Sequence, residues 1–504
     1  MSATGRYALE DTADYVIVGT GAGGATAARV LSEAGLSVIM LEEGPRLSPE
    51  QRALGLLDAM SQSVRDLGTL ATHSSAPFPL LLGRVVGGST AINSGIVWRL
   101  PDDVRADFVE RFGLGELLEE RELERVFSQI ERELEIEAVD ASVQGGNARL
   151  MRDGAQALGL TGRIIRRNAK RCEGSARCLQ GCPRGARQSM DVSYVPFAER
   201  HGARLYDRAR VERVSVAQGR ACGVEGQLLD ADDQPRGRFR ALATRGVIVA
   251  AGAIYTPLLL WQSGLRGRVG ENFQAHPGAA VVGRFGERVG MGFGATQAYE
   301  VPLHAEGLKL ESLSLPPELL AARLPGAGEE FQRRLRQLDY FAQWAAVVRM
   351  GARGRVRPAR FGRGVRVTYE PTEQDFARIK RGLTLIVRMM FAAGAEEVYP
   401  GIASLPEVFT RPEQAALIES ARVQRRDVHL MASHHFGTAA ASANPALGVV
   451  GADLQCHDLP GLYVMDASAL PTNLGVNPQH SIMALAFRGA ERLANQSARG
   501  RAAA

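Results

Sequence analysis

The chain has 504 residues, of which 45% are hydrophobic and 23% are charged, and its net charge is +5. This composition is ordinary for a globular protein, and the length allows two or three domains. No run of about eighteen apolar residues indicates a membrane span, and the N-terminus lacks the basic and apolar regions of a signal peptide, so we expect a cytoplasmic protein.

Residues 14–44 predict a dinucleotide-binding unit. An apolar run ends in the glycine-rich sequence GTGAGG, and a helical segment and a second apolar run that ends at Glu42 follow it. In such a unit Gly19 allows the tight turn, Gly21 lets the backbone approach a pyrophosphate, and Gly24 lets helix and strand pack closely. The start of the helix offers N–H groups to the phosphates, and Glu42 is placed to accept hydrogen bonds from a ribose diol.

The rest of the chain mixes helix and strand patterns. The segment 101–150 is charged and helix-like, and RGVIVAA at 245–251 is a continuously apolar strand of the parallel kind, followed by a helix that starts after a proline-bearing turn. Further strands are predicted at 279–285, 341–350, 365–369 and 461–465, and a last helix at 481–493. The middle strands look antiparallel, which indicates a separate sheet-based domain.

Three cysteines lie close together in RCEGSARCLQGCP, namely Cys172, Cys178 and Cys182. Their spacing invites a metal interpretation, but an iron–sulfur CxxCxxC core is missing. Tetrahedral zinc would need a fourth ligand, such as Cys222, Cys456 or a distant histidine. Reduced structural thiols without a metal are the interpretation that we favour for a cytoplasmic chain with an odd number of cysteines.

Two segments are locally basic, at 163–171 and 349–365. They are compatible with an anionic membrane surface, but we favour the interpretation that they form a solvated face of an arginine-rich protein. Neither segment is interleaved with stacking aromatic residues, so nucleic acid is not an expected partner.

Four segments together resemble the glucose–methanol–choline (GMC) oxidoreductase family of FAD enzymes, and they follow one another in the family's order. They are the opening βαβ unit, GRVVGGSTAINSGIVWR at 83–99, GAIYTPLLLWQSG at 252–264 with the VGENFQAHP that follows, and SHHFGT at 433–438 with LYVMDASALPTNLGVNPQHSIMALA at 462–486. The resemblance implies an FAD cofactor, a small-molecule alcohol as substrate, and O2 or another acceptor for the electrons. It is weakest over 280–430, the region that the family varies to fit its substrates.

The expected fold class is therefore α/β, with a Rossmann-like FAD-binding domain assembled from discontinuous segments and an α+β substrate domain with an antiparallel sheet. The predicted boundaries are 1–100, 186–275 and 431–504 for the FAD-binding domain, 101–185 for a helical insertion with the cysteine segment, and 276–430 for the substrate-binding domain.

The resemblance also implies which residues contact the flavin. Gly83 and Gly88 belong to a loop with little side-chain bulk, on which a flat ring can lie, and Ser89 and Asn93 would add polar contacts. Some family members attach FAD covalently through a histidine in this segment; Ile92 aligns with that position, so we expect non-covalent FAD. The full predicted set of cofactor contacts is Gly19, Gly21, Ala22, Gly24, Glu42, Gly83, Gly88, Ser89, Asn93, Val211, Ala251, Asp466, Ala467 and Asn477.

Alcohol oxidation by a flavin needs a base for the hydroxyl proton while the α-hydrogen leaves as hydride. In the family this base is a histidine three residues before the glycine of an HxxGT-like motif, which is His434 here, although the neighbouring His435 leaves the register open. Asn477 matches the second member of the family's catalytic pair and would bind the substrate oxygen. His276 resembles a structural histidine of the family, and we interpret His480 as a packing or hydrogen-bonding residue at a helix start.

The asparagine version of the pair and the cysteine segment resemble the long-chain alcohol oxidase and cholesterol oxidase branches, which suggests a lipophilic primary alcohol or a sterol. Apolar segments at 313–325, 339–348 and 388–395 fit such a substrate, but core packing explains them equally well. Two other functions stay open, a flavin-retaining lyase or decarboxylase and a non-catalytic flavoprotein. The pair of His434 and Asn477 argues against the last.

Overall fold

The computed structural model describes residues 7–48, 50–53, 55–360 and 364–502. The α-helices are α1 (Ala22–Glu33), α2 (Leu56–Ser63), α3 (Asp102–Phe112), α4 (Glu120–Glu133), α5 (Gly145–Ala157), α6 (Tyr194–Arg200), α7 (Gly252–Gln262), α8 (Pro317–Ala321), α9 (Gly328–Arg336), α10 (Glu373–Ala392), α11 (Leu417–Ser420) and α12 (Gln479–Ala502). The strands are β1 (Leu9–Val18), β2 (Val38–Leu41), β3 (Thr72–His73), β4 (Ile136–Ala138), β5 (Arg163–Ile164), β6 (Arg166–Asn168), β7 (Arg204–Tyr206), β8 (Ala209–Ala217), β9 (Arg220–Leu229), β10 (Pro235–Val249), β11 (Gln274–Ala275), β12 (Gly278–Phe285), β13 (Tyr299–Leu303), β14 (Leu308–Ser312), β15 (Phe341–Val348), β16 (Arg355–Pro358), β17 (Val365–Thr368), β18 (Ala395–Tyr399), β19 (His435–Phe436) and β20 (Leu462–Val464).

A largely parallel sheet draws its strands from three distant parts of the sequence. In the described part its order is β7-β2-β1-β10-β9-β8, and β20 also pairs with β10. Strands β7, β2, β1, β10 and β20 pair in parallel, while β9 and β8 extend the sheet in the antiparallel sense. Helices α1 and α12 pack against each other beside this sheet. The predicted α/β fold built from discontinuous segments is thus confirmed.

A second, antiparallel sheet lies in the middle of the chain, with the order β18-β12-β15-β14-β13-β5 in the described part. The strand predicted at 365–369 is β17, which lies in a small separate sheet with β16 and β3. Strand β15 is buried along its whole length because α10 packs on it.

The apolar segments at 313–325, 339–348 and 388–395 belong to the core of this second sheet. Leu320, Trp344 and Met389 are among their fully buried members. Core packing therefore accounts for these segments, and they carry no information about the substrate.

Helix α7 differs from the prediction. It begins at Gly252, so Pro257 lies inside the helix and not in a turn before it. Proline has no N–H group, which leaves the carbonyl of Ala253 without its helical donor. The hydroxyl of Thr438 donates to this carbonyl at 2.6 Å and takes the place of the missing N–H. The same bond ties α7 to the segment that follows the two adjacent histidines.

The basic segments are largely paired within the chain. Arg166 lies 3.0 Å from Glu131, and Lys170 also faces a glutamate. In the second segment Arg355 and Arg357 share Glu271 as their partner; residues 361–363 lie outside the described part. These pairs leave fewer free charges for an anionic surface than the sequence suggests. No helix of the described residues is long and apolar enough to cross a membrane.

Candidate active site

The glycine turn between β1 and α1 is in close contact with other backbone. A methyl group at Gly23 would lie 1.8 Å from the carbonyl oxygen of Met465, and one at Gly24 would lie 2.0 Å from that of Gly19. A methyl group at Gly21, in contrast, meets no atom of the described residues within 4 Å. No described side chain caps α1 at Gly21, so the N–H groups of its first turn face this open space, where an anion can approach them.

Glu42 follows β2 and is buried close to this turn. Its Oε2 accepts hydrogen bonds from the N–H and the hydroxyl of Thr20, at 3.0 and 2.7 Å, and its Oε1 accepts one from the N–H of Gly44 at 3.1 Å. Burial raises the pKa of this carboxyl, and the neutral donors only partly oppose that effect. Carboxylate oxygens have further lone pairs, so ribose hydroxyls can add to these bonds. The open turn and this carboxylate together fit a dinucleotide such as FAD.

The loop after residue 83 packs directly on the glycine turn. A methyl group at Gly88 would lie 2.9 Å from the Cα of Gly21. Ser89 Oγ accepts a hydrogen bond from the N–H of Gly83 at 2.9 Å, and Asn93 Nδ2 donates one to the Gln479 side chain at 2.6 Å. These two side chains, predicted to contact the flavin, thus also hold the loop in place.

Asp466 lies just after β20, where the sheet faces the glycine turn. Its carboxylate accepts hydrogen bonds from the N–H of Gly252, from the hydroxyl of Thr256, and from both the N–H and the hydroxyl of Ser468. Burial raises the pKa of this carboxyl. Asp466 therefore joins the start of α7 to the end of β20, in addition to its predicted role toward the cofactor.

Three other predicted contacts lie at the borders of the same region. Ala251 directly precedes α7, and its N–H donates to the hydroxyl of Thr256 at 3.0 Å. The carbonyl of Ala467 accepts a 3.4 Å hydrogen bond from the N–H of Gly437. Val211 is half-buried on β8. Near it, at the start of this strand, the N–H of Ala209 donates a hydrogen bond to the carbonyl of Glu42.

The two adjacent histidines face opposite sides, as side chains on consecutive residues of extended backbone do. The buried ring of His435 stacks on Phe273 with the centroids 5.8 Å apart, and burial lowers its pKa to about 4. His434 faces the other way, and its Nδ1 lies 3.2 Å from Nδ1 of His276. No described protein group bonds to Nε2 of His434. This arrangement favours His434 over His435 as the base, and it brings His276 into the site.

Lys309, on β14, contacts Asn477, the predicted partner of His434. Its Nζ donates to Asn477 Oδ1 at 2.5 Å and lies 2.6 Å from Glu311 and 3.5 Å from Glu300. Burial alone would lower its pKa, but the two carboxylates outweigh this effect and raise it, so the ammonium stays charged. Burial and the charge of Lys309 together lower the pKa of His434 to about 3, which keeps that ring neutral. We call Lys309, Glu300, Glu311 and Asn477 the Lys309 cluster.

The two carboxylates of the Lys309 cluster are held by other side chains. Glu300 accepts hydrogen bonds from the Trp98 indole at 3.1 Å and from Arg163 at 2.9 Å. Glu311 accepts one from the Gln297 amide at 2.5 Å. Lys309 and Arg163 thus balance the two negative charges, as buried ions require. No short motif in the sequence identifies Lys309, Glu300 or Glu311.

The VGENFQAHP segment holds the loop that leads to Asn477. Asn272 donates to the carbonyl of Pro471 at 2.9 Å, and Gln274 accepts from the N–H of Asn473 at 3.1 Å. The Asn473 side chain donates in turn to the carbonyl of Ala275 at 2.6 Å. Because β11 in this segment pairs with β19, the histidines and the loop before Asn477 are fixed on one support.

His480 and the cysteine segment lie around this centre. The ring of His480 contacts Phe127 with the centroids 4.6 Å apart, and burial lowers its pKa to about 3. Cys178 Sγ accepts a 3.0 Å hydrogen bond from Arg167, and Cys182 Sγ accepts one from the N–H of Arg187 at 3.5 Å. Among the described residues, no three histidine, cysteine or acidic side chains are grouped as metal ligands.

The chain is similar to known proteins in both sequence and fold. Family models described as GMC oxidoreductase match residues 13–278 and 350–486. An uncharacterized GMC-type oxidoreductase of Mycobacterium tuberculosis is 37% identical over 484 residues, which cover 95% of this chain and 75% of the relative. A long-chain-alcohol oxidase of Arabidopsis thaliana is 25% identical over 536 residues, covering 99% and 70%. A solved formate oxidase variant from Aspergillus oryzae has a similar fold, with a TM-score of 0.72 at 16% identity over 98% of this chain and 99% of that one.

Proposed function

Because this chain belongs to the GMC oxidoreductase family, FAD-dependent enzymes that act on CH–OH donors, we propose that it oxidises a lipophilic alcohol to an aldehyde or ketone. In this proposal His434 is the base and Asn477 binds the substrate oxygen. The observation that supports it most is that each of these two side chains has a polar atom without a partner among the described residues. Nε2 of His434 has no partner among the described residues, and Nδ2 of Asn477 likewise has no described acceptor, while the Oδ1 of that amide is bonded to Lys309.

Bound FAD supplies the acceptor for the hydrogen that leaves the carbinol carbon with its electron pair. The isoleucine side chain at position 92 has no nucleophilic atom, which supports non-covalent attachment. The protein moves the proton: with a hydrogen on Nδ1 of His434 donated to Nδ1 of His276, Nε2 is free to accept the hydroxyl proton. Asn477 Nδ2 donates to the same oxygen as its negative charge develops.

Two observations support a lipophilic substrate. The Arabidopsis thaliana relative, named as a long-chain-alcohol oxidase, aligns with 99% of this chain. Leu81, which is half-buried, runs beside Ala432, two residues before the base, and its N–H donates to the Ala432 carbonyl at 2.8 Å. The neighbouring Met431 is 44% exposed. Apolar residues thus flank the segment that carries His434.

Anaerobic mixing of the FAD-loaded enzyme with 1-octanol, a sterol and a sugar tests this proposal. We expect loss of the oxidised-flavin absorbance with 1-octanol or the sterol. A clear preference for the sugar would refute the lipophilic substrate. No bleaching with any alcohol, in spite of bound FAD, would instead favour a lyase or decarboxylase. Readmitting air then distinguishes an oxidase, which is reoxidised quickly, from a dehydrogenase.

A pair of variants tests the base. His434→Gln should retain FAD yet reduce it about 10²–10⁴-fold more slowly, as expected for a lost general base. His435→Gln is the matched control, because its ring stacks on Phe273 on the other side. We expect a near-normal rate of flavin reduction from this control. If His435→Gln is the slow variant and His434→Gln is not, the assignment of the base is wrong by one residue.

A further inference from the structure

We propose that Lys309 is a positioning residue for catalysis: it holds the side-chain amide of Asn477 so that Nδ2, and not Oδ1, faces the substrate oxygen. This inference rests on the alcohol oxidation proposed above. It concerns a residue of the substrate-domain sheet that lies 168 positions before Asn477 in the chain.

An asparagine amide can rotate by half a turn with little change of shape, and the rotation exchanges a donor for an acceptor. In one orientation Asn477 stabilises a developing alkoxide, and in the other it presents a carbonyl oxygen that repels it. An ammonium group has three donors and no acceptor, so Lys309 can bond only to Oδ1. The 2.5 Å contact therefore selects the orientation that is useful for the reaction.

The ammonium itself is well fixed. Its side chain is fully buried, with the carboxylates of Glu311 and Glu300 at 2.6 and 3.5 Å. Glu300 is held by Trp98 and Arg163. Lys309 is thus a charged group with little freedom to move, as orientation of another side chain requires.

The same charge acts on the base. The titratable groups that face His434 are His276 opposite its Nδ1, Lys309 from β14 and the neighbouring His435. A positive charge nearby disfavours the protonated ring, so loss of Lys309 should raise the pKa of His434. This effect gives the proposal a readout that a merely structural role would not change.

The test replaces the buried ion pair as a unit. The double variant Lys309→Met/Glu311→Gln removes one positive and one negative charge, so it leaves no unpaired ion in the core. Glu311→Gln alone is the matched control, because it keeps the bond from Lys309 to Asn477. A second double variant, Lys309→Gln/Glu311→Gln, keeps a donor toward Asn477 and also serves if the methionine form does not fold.

The expected results concern the rate of anaerobic flavin reduction by the alcohol that wild type oxidises. The methionine double variant should bind FAD and reduce it about 10–100-fold more slowly than Glu311→Gln, with a fall in kcat and little change in KM, because the lost contact matters mainly to the developing alkoxide. The glutamine form should recover part of this loss. In an Asn477→Leu background the change at Lys309 should cost almost nothing, because Lys309 acts through that amide.

A readout other than activity is the pH titration of the His434 ring by NMR, assigned with His434→Gln. We expect the pKa of this ring to be higher in the methionine double variant than in Glu311→Gln, because only the control retains the positive charge of Lys309. Three results would each overturn the inference. The first is an equal rate of flavin reduction in the methionine double variant and in Glu311→Gln. The others are the same loss of rate with and without Asn477, and an unchanged His434 titration. If no alcohol reduces the flavin of the wild-type enzyme, the proposed function is wrong, and this inference is wrong with it.

Discussion

The glycine turn and the Lys309 cluster place their functional groups by different means. At the turn, backbone meets backbone, and Gly23 leaves only 1.8 Å between an added methyl group and the Met465 oxygen. In the Lys309 cluster the contacts are between long side chains on β13, on β14 and on the loop before α12. An added methyl group at Gly23 has no space, whereas an ion pair can be replaced by a neutral pair of similar size. We therefore expect the structure to tolerate no side chain at Gly23, and to tolerate paired substitutions in the Lys309 cluster.

The largest effect that this comparison predicts is for Gly23→Ala. The new methyl group overlaps the backbone between β20 and Asp466, so either the turn or the end of the strand must move. We expect the variant to lose FAD binding and to unfold at a much lower temperature. The flavin absorbance per protein and a thermal unfolding curve measure these two effects.

Gly21→Ala is the control for Gly23→Ala. Gly21 has a φ of −67°, which alanine can adopt, and its methyl group meets no described protein atom within 4 Å. The apoprotein should therefore unfold as wild type does, and any loss of FAD affinity would come from the methyl group facing the cofactor. Normal FAD content and stability in Gly23→Ala would contradict the role of close backbone contact at this turn.

A smaller effect is expected where Thr438 replaces the hydrogen-bond donor that Pro257 lacks. Thr438→Val removes the hydroxyl that bonds to the Ala253 carbonyl and leaves a buried acceptor unpaired, at a cost of about 1–3 kcal/mol. In a Pro257→Ala background the residue at 257 has an N–H for this carbonyl, so the same change should cost less. Urea unfolding of the four proteins at saturating FAD gives both values. Equal costs in the two backgrounds would show that the hydroxyl does not serve this purpose.

The sequence identifies the residues whose roles depend on neighbours in the chain. Gly19, Gly21 and Glu42 belong to one continuous βαβ unit, and the resemblance of residues 433–438 to the family's HxxGT-like motif implies His434. His434 and His435 face opposite sides, one toward His276 and the other toward Phe273, so a shift of one residue would place the base in a different environment.

The contacts of Lys309 cannot be predicted from neighbouring residues in the chain. Strand β14 reads LKLES, an alternation that is typical of a strand with one face in water, yet all five residues are buried. Their polar side chains face partners from distant parts of the chain, and the register that brings those partners together is not encoded locally. The close contact at Gly23 is not predictable for the same reason. It is made with Met465, the residue after β20, which lies more than 400 positions away in the chain.

The smallest effect that we predict concerns the cysteine segment. Arg187, shortly after this segment, donates hydrogen bonds to the carbonyls of Ala91 and Asn93 in the loop predicted to contact the flavin, which we call the flavin loop. Burial alone would raise the pKa of the Cys178 thiol, but Arg167 and Arg187 outweigh this effect and lower it from 9.0 to about 7. Because the pKa is lower in the folded protein, the stabilisation is fully present above pH 9 and is lost as the pH falls through 7.

Wild type should therefore gain free energy of unfolding relative to Cys178→Ser between these pH values, by an amount on the order of 1 kcal/mol. Urea unfolding at pH 7 and pH 9 in the presence of a reductant measures this gain. Cys222→Ser, a change on β9 in the parallel-sheet domain, is the control and should follow wild type. If Cys178→Ser shows the wild-type pH dependence, the arginines do not hold a thiolate, and the cysteine segment contributes to the flavin loop by packing and hydrogen bonds alone.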